Sequence, residues 1–172
     1  LSKIEAGAYP LALQDVSVPA AARDALALVA DAARAKQITL AWDESADESL
    51  MAWADEHAIE DVLGNLLDNA VKYTPAGGHV SVTAHAVGDG VQIEVIDDGP
   101  GIPAHQRARI FERFYRVDAG RSREMGGTGL GLAIVKHLVE AMHGRVGVEP
   151  VEPKGSRFFV RLARSAGAAR DG

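Results

Sequence analysis

Hydrophobic periodicity divides the chain into alternating helix and strand blocks. From Ser17 an alanine-rich helical pattern runs to about Lys36, with Ser17 placed to cap it and Pro19 in its first turn. Ile38 to Trp42 and Leu50 to Trp53 read as short strands, separated by an acidic loop from Asp43 to Ser49. Asp55 then caps a second helix, which carries Val62, Leu63, Leu66, Leu67 and Ala70 toward a core. After Thr74-Pro75-Ala76-Gly77-Gly78 the period changes to two: Val80, Val82, Ala84 and Ala86 alternate with polar residues, and after Gly88-Asp89-Gly90 so do Val91, Ile93 and Val95. From Ile102 to Gly127 there is little regular pattern beyond a helical turn or two around Ile110, Phe111 and Phe114. An apolar helix from about Leu130 to Met142 follows, closed by Gly144. A last hairpin pairs Arg145–Glu149 with Ser156–Leu162, with Phe158, Val160 and Leu162 pointing inward. Tyr9 to Val16 reads as an extended connector because Pro10 blocks a helix, and Trp42 and Trp53 read as core.

This order predicts an α/β (α+β) two-layer sandwich in one domain. Its sheet is mixed and mostly antiparallel, its helices pack on one face, and the long irregular segment forms a lid. The bounds are 1–16 for a helix end (Leu1 to Gly7) and linker, 17–164 for the domain, and 165–172 for a disordered tail. Bulk properties narrow the function. A formal charge of −6 argues against a general nucleic-acid binder, and the absence of cysteine removes disulfide and thiolate chemistry. No apolar run reaches membrane-spanning length. The chain opens at Leu1 rather than a methionine, which reads as a piece cut from a longer protein.

Three polar clusters stand out. Asp61, Asn65 and Asn69 recur every four residues on the second helix, so one face of a mostly buried helix carries a row of oxygen-bearing side chains. Such oxygens suit a hard cation like Mg2+ that shares its shell with phosphate and water; the plainer reading is a polar row facing water. Asp97, at a strand end before Gly99 and Gly101, offers acceptors beside backbone that a flat ring can approach, and an adenine amino group fits. Its plainer reading is an Asp that ends a strand and caps a turn. Gly126-Gly127-Thr128-Gly129-Leu130-Gly131 opens a helix, where free N–H groups and the helix dipole favour phosphate, although glycines there also serve simply as turn formers. Lys72, Arg113, Arg116, Arg121 and Arg123 are available to neutralise phosphates or to form a solvated face. The six histidines show no metal-binding spacing.

The ordered stretches N-L-L-D-N-A-V-K-Y, D-D-G-P-G-I, R-I-F-E-R-F-Y-R-V-D and G-G-T-G-L-G-L-A-I-V-K resemble the N, G1, F and G2 boxes of sensor histidine kinases. The closing G-S-R-F-F-V and the opening L-S-K-I-E-A-G are similar to that family too, so the likeness spans about Leu1 to Leu162. It implies the Bergerat-type sandwich shared with gyrase, Hsp90 and MutL ATPases (the GHKL superfamily), binding ATP with Mg2+. It implies Asn69, with Asn65, at the metal, Lys72 and Arg116 at phosphates, Tyr73 bordering the nucleotide, and Asp97 on the adenine amino group. Gly99, Gly101, Ile102, Gly127, Thr128, Gly129, Leu130 and Gly131 complete the implied nucleotide site, under an ATP lid from Ile102 to Gly127.

Two features qualify the likeness. Asp61 stands where the family often has Glu, one methylene longer, which puts a direct role for Asp61 in doubt. No histidine precedes His57, so the phosphoacceptor of such kinases lies outside this chain, with Leu1 to Gly7 as the tail of a dimerisation helix. The implied partners are that histidine-bearing dimerisation domain, through which the parent would be a homodimer, and a response regulator. The fragment itself would be monomeric and cytoplasmic, and the parent anchored in the bacterial inner membrane. Two other readings stand beside this one. ATPase clamps and serine kinases of the superfamily carry a Glu four residues before the metal-binding Asn, where this chain has Asn65, and an amide cannot act as a general base. The other is a nucleotide-sensing module without catalysis.

Overall fold

The computed structural model describes residues 10–117 and 129–165. In chain order its elements are β1 (Gln14–Ser17), α1 (Val18–Ala35), β2 (Thr39–Trp42), β3 (Met51–Ala54), α2 (Glu56–Tyr73), β4 (His79–Val87), β5 (Gly90–Asp97), two 3-10 turns (Ala104–Gln106 and Arg109–Phe111), α3 (Gly131–Ala141), β6 (Arg145–Pro150) and β7 (Ser156–Ala163).

Five strands form one sheet in the order β2-β4-β5-β7-β6. Only β2 and β4 run parallel; every other neighbouring pair in this sheet is antiparallel. The registers align Val82 with Val95, Val95 with Phe158, and Phe158 with Val148. An apolar row therefore crosses four strands on one face, as period-two alternation requires. Against that face pack the buried sides of α1 (Val18, Ala22, Ala25, Val29, Ala33), α2 (Ile59, Val62, Leu63, Leu66, Leu67) and α3 (Val135, Leu138, Val139). The opposite face is polar at Ser81, Thr83, His85 and Gln92. Glu94 on that face is buried beside Arg157, at 3.1 Å. This is the expected α+β sandwich.

Local signals fixed both long helices. The Ser17 hydroxyl accepts from the Ala20 amide at 3.3 Å, and the Asp55 carboxylate accepts from the Ala58 amide at 2.9 Å. Four details differ from expectation. The segment read as an extended connector contains β1, which pairs antiparallel with β3 in a separate two-stranded sheet. Trp42 is buried, but Trp53 is only half-buried. Ala86 is exposed, near the turn end of β4, although its partner Val91 is buried. At the end of α3 the left-handed residue is His143 (φ 63), not Gly144. Gly144 is needed for another reason: a β-carbon there would lie 2.5 Å from the Arg161 carbonyl oxygen. The linker residues 1–9, the tail residues 166–172 and most of the glycine-rich turn before α3 lie outside the described residues.

Candidate nucleotide site

α2 places the polar row at the edge of the helical layer. Asp61 is exposed, whereas Asn65 and Asn69 are half-buried between fully buried leucines. The Asn65 amide donates to the Asp61 carbonyl at 2.9 Å, with its side-chain oxygen toward α3. That oxygen sits 3.1 Å from where a β-carbon would stand on Gly131, the first residue of α3. The two helices thus bring the asparagine row and the first residue of α3 together.

A second junction lies at the C-terminal end of α2. A β-carbon on Gly99 would meet Asp97 Oδ1 at 3.0 Å, the Tyr73 carbonyl oxygen at 3.2 Å and Thr74 Cα at 3.6 Å. Only glycine lets the Asp97 turn lie this close to the helix end. Asp97 is 8% exposed, and its Oδ1 accepts from the Gly99 amide at 2.9 Å. Burial pushes the Asp97 carboxyl above its ordinary value, against the opposing pull of the Gly99 and Ser156 amides. The neighbouring Asp98 behaves oppositely. Burial would raise it, but the amide and ring of His79 outweigh that, and Asp98 falls below its ordinary value.

Behind this turn, Gly155 (φ +121) passes so close that a β-carbon would lie 2.0 Å from the Asp97 carbonyl oxygen. Gly101 (φ +79) faces the Gly155 carbonyl at 3.3 Å from its own β-position. Ile102 packs half-buried against the core, and Tyr73 is 37% exposed beside the Asp97 turn. A third junction joins the stretch ending at Val117 to α3. The Phe114 amide donates to the Gly129 carbonyl at 2.8 Å, and both residues have positive φ.

Of the residues picked from sequence, Asn65, Tyr73, Asp97, Gly99, Gly101, Gly129 and Gly131 are tied by these contacts. Asn69 lies one turn beyond Asn65 on α2, and Leu130 caps α3. Lys72 pairs with Asp68 at 3.0 Å along its own helix, so its ammonium lies at the rim of the Asn69 turn. Arg116 is half-buried, in the stretch after Phe114. Gly127 and Thr128 fall outside the described residues.

Periodicity could not find Lys36. Its ammonium donates to the Val71 and Lys72 carbonyls at 2.8 and 2.9 Å, capping the end of α2, and burial lowers its pKa. A lysine ending one helix gives no hint that it caps another. Ser156, whose amide faces Asp97, was marked only as part of the closing motif. Among the described residues, no three His, Cys, Asp or Glu side chains gather as a metal cage. The hard donors at the Asn65–Asn69 face are amide oxygens, which fits a cation held jointly with phosphate oxygens and water.

The family model for histidine kinase-, DNA gyrase B-, and HSP90-like ATPases matches residues 54–166. The chain is 44% identical over 118 residues to the sensor histidine kinase WalK of Bacillus subtilis, covering 67% of this chain and 19% of that protein. It is 38% identical over 149 residues to the adaptive-response sensory kinase SasA of Rippkaea orientalis, covering 86% of this chain and 37% of that protein. The chain therefore spans well under half the length of these relatives. Full-length ShkA crystallised with AMPPNP superposes with a TM-score of 0.82 at 36% identity, over 96% of this chain and 34% of that one. The catalytic domain of histidine kinase ThkA superposes with a TM-score of 0.78 at 26% identity, over 90% of this chain and 97% of that one. With the Asn65–Gly131 and Asp97–Gly99–Thr74 junctions in place, the chain belongs to the histidine kinase-, DNA gyrase B- and HSP90-like ATPase family, as an ATP-binding catalytic domain of the sensor histidine kinase type.

Proposed function

We propose that this domain transfers the γ-phosphoryl group of ATP to a histidine on a dimerisation domain outside the chain, for relay to a response-regulator aspartate. One observation carries this reading over water- or hydroxyl-directed chemistry. Four residues before Asn69, facing the start of α3, the side chain is the Asn65 amide. An amide cannot take a proton from water or serine, but a neutral imidazole attacks without giving one up first.

The residues divide the work. Asn69, with Asn65, would hold Mg2+, which when bound neutralises charge on the phosphates. Asp97 accepts the adenine amino group while Gly99 and Gly101 let the ring approach the backbone. The backbone amides of Gly127 to Gly131 and the dipole of α3 hold phosphate oxygens. Lys72, after releasing Asp68, and Arg116 stabilise charge on the transferring group. Tyr73 borders the base, and Ile102 begins the lid that excludes water. The names of the relatives support a sensor kinase parent. In the same proposal that parent acts as a homodimer, is served by a response regulator, and is anchored in the bacterial inner membrane with this domain in the cytoplasm. Among the described residues no helix is long and apolar enough to cross a membrane.

The test supplies a separately expressed dimerisation domain together with labelled ATP. Acid-labile phosphate should appear on the added domain and on none of the six histidines here. Stoichiometric label on this chain alone would overturn the proposal.

A further inference from the structure

Thr74 is the first residue past α2, and its amide donates to the Ala70 carbonyl at 3.0 Å. Its side chain is wholly enclosed, at 0% exposure. The methyl group is well placed: Cγ2 lies 2.3 Å from where a β-carbon would stand on Gly78, so it fills the space that glycine leaves. The hydroxyl is not, because Thr74 Oγ1 has no hydrogen-bond partner among the described residues. Buried hydroxyls are nearly always paired, and an unpaired one weakens the fold. Valine has nearly the same shape and would pack here without that cost, so packing alone gives no reason for the hydroxyl.

Its surroundings suggest what it is for. Thr74 Cα and Asp97 Oδ1 both close on the same point beside Gly99, at 3.6 and 3.0 Å. No side chain on Gly99 keeps them apart. Oδ1 already accepts from the Gly99 amide, and a carboxylate oxygen has a second lone pair to offer.

We propose that Thr74 is a positioning residue of the base pocket, whose hydroxyl takes Asp97 as its partner only in the nucleotide-bound arrangement. This rests on the reading of Asp97 as the acceptor for the base amino group. Donation from Thr74 and Gly99 to Oδ1, beside the amide of Ser156 that also faces the carboxylate, leaves lone pairs on the carboxylate for the base. It also helps hold the carboxylate in its ionised, acceptor-only form. Binding then supplies the partner that the hydroxyl lacks among the described residues.

The experiment compares Thr74→Val and Thr74→Ser with the wild-type chain by thermal unfolding without nucleotide and by ATP and GTP titration. Thr74→Val should melt at or above the wild-type temperature, by up to about 2–4 °C. It should bind ATP about five- to tenfold more weakly, with a smaller ATP-to-GTP preference. Thr74→Ser should behave oppositely, melting lower because the methyl is lost while keeping ATP affinity within about twofold. A merely structural residue would move stability and affinity together. Thr74→Val that binds ATP like wild type, or that loses affinity and melting temperature together, would overturn the proposal, as would Thr74→Ser losing affinity like the valine variant. Asp97→Ala serves as the reference: if it leaves the ATP-to-GTP preference unchanged, the Asp97 reading fails and this one with it.

Discussion

The side-chain oxygen of Asn65 stands 3.1 Å from the β-position of Gly131, so the asparagine row of α2 and the first turn of α3 share one wall. A methyl group at Gly131 would press on an amide whose nitrogen is already fixed on the Asp61 carbonyl. Gly131→Ala should leave folding intact or slightly improved, since alanine favours a helix. On the proposed function ATP affinity should fall about three- to tenfold, because the Asn65 amide and the start of α3 are displaced from each other. Titration calorimetry together with a melting curve checks this; unchanged affinity would show that the contact is incidental.

Asn69 is half-buried one turn beyond Asn65 on α2, and the proposed function makes it the principal metal ligand. Asn69→Ala should lower phosphoryl transfer to an added acceptor domain by about a hundredfold or more, roughly 3 kcal/mol. Single-turnover transfer at saturating ATP is the measurement. Near-normal rates in a folded variant would remove Asn69 from the metal site.

Asp97 ties stability to selectivity. Its folded pKa is raised by burial above the ordinary 3.8, so the native state favours the protonated form. That contribution to stability is full below the unfolded pKa and is lost as pH rises through the folded one. At neutral pH the buried charge therefore costs stability. Asp97→Asn should raise the melting temperature of the nucleotide-free domain at pH 7, and the gap should close as pH falls toward 4 (melting curves across that range decide it). The same variant places a donor where an acceptor stood, so its ATP-to-GTP affinity ratio should fall by roughly ten- to several hundredfold.

Asp55 serves two amides at once. Oδ1 caps α2 at Ala58, and Oδ2 accepts from the Ala12 amide at 2.8 Å, just before β1. Asp55→Ala should cost about 1–2 kcal/mol through the lost cap. Asp55→Ser should recover much of that, since serine caps well, yet leave Ala12 unbonded. Urea unfolding reports the first effect, and amide exchange at Ala12 reports the second. Ala12 protection retained in the serine variant would show that the segment is held by β1 pairing alone.

Gly129 (φ +74) has no room for a side chain: a β-carbon would lie 2.7 Å from Phe114 Cα. Gly129→Ala should break the bond from the Phe114 amide to the Gly129 carbonyl and weaken ATP binding several-fold. Faster exchange at Phe114 with the α2 amides unchanged is the expected signature. Uniform destabilisation would point to a core effect instead.

The sequence by itself determined the elements, the sandwich and the candidate chemistry. Ser17 and Asp55 act on amides three residues away, and the two-residue alternation of β4, β5 and β7 specifies which face is apolar; such signals are local, so they can be read without the fold. The ordered boxes around Asn69, Asp97 and Gly129–Gly131 carried the family in the same way. What only the tertiary structure decided lies in contacts between residues distant along the chain. β1 became a strand because β3 offered an edge, although its four residues carry no strong alternation. Lys36 capped a helix that begins twenty residues later. Gly99 and Gly155 proved indispensable because Thr74 and Asp97 lie against them, and the Thr74 hydroxyl proved unpaired because no described neighbour reaches it. Close approach and polar satisfaction are set by which surfaces meet, and no period along the chain records that.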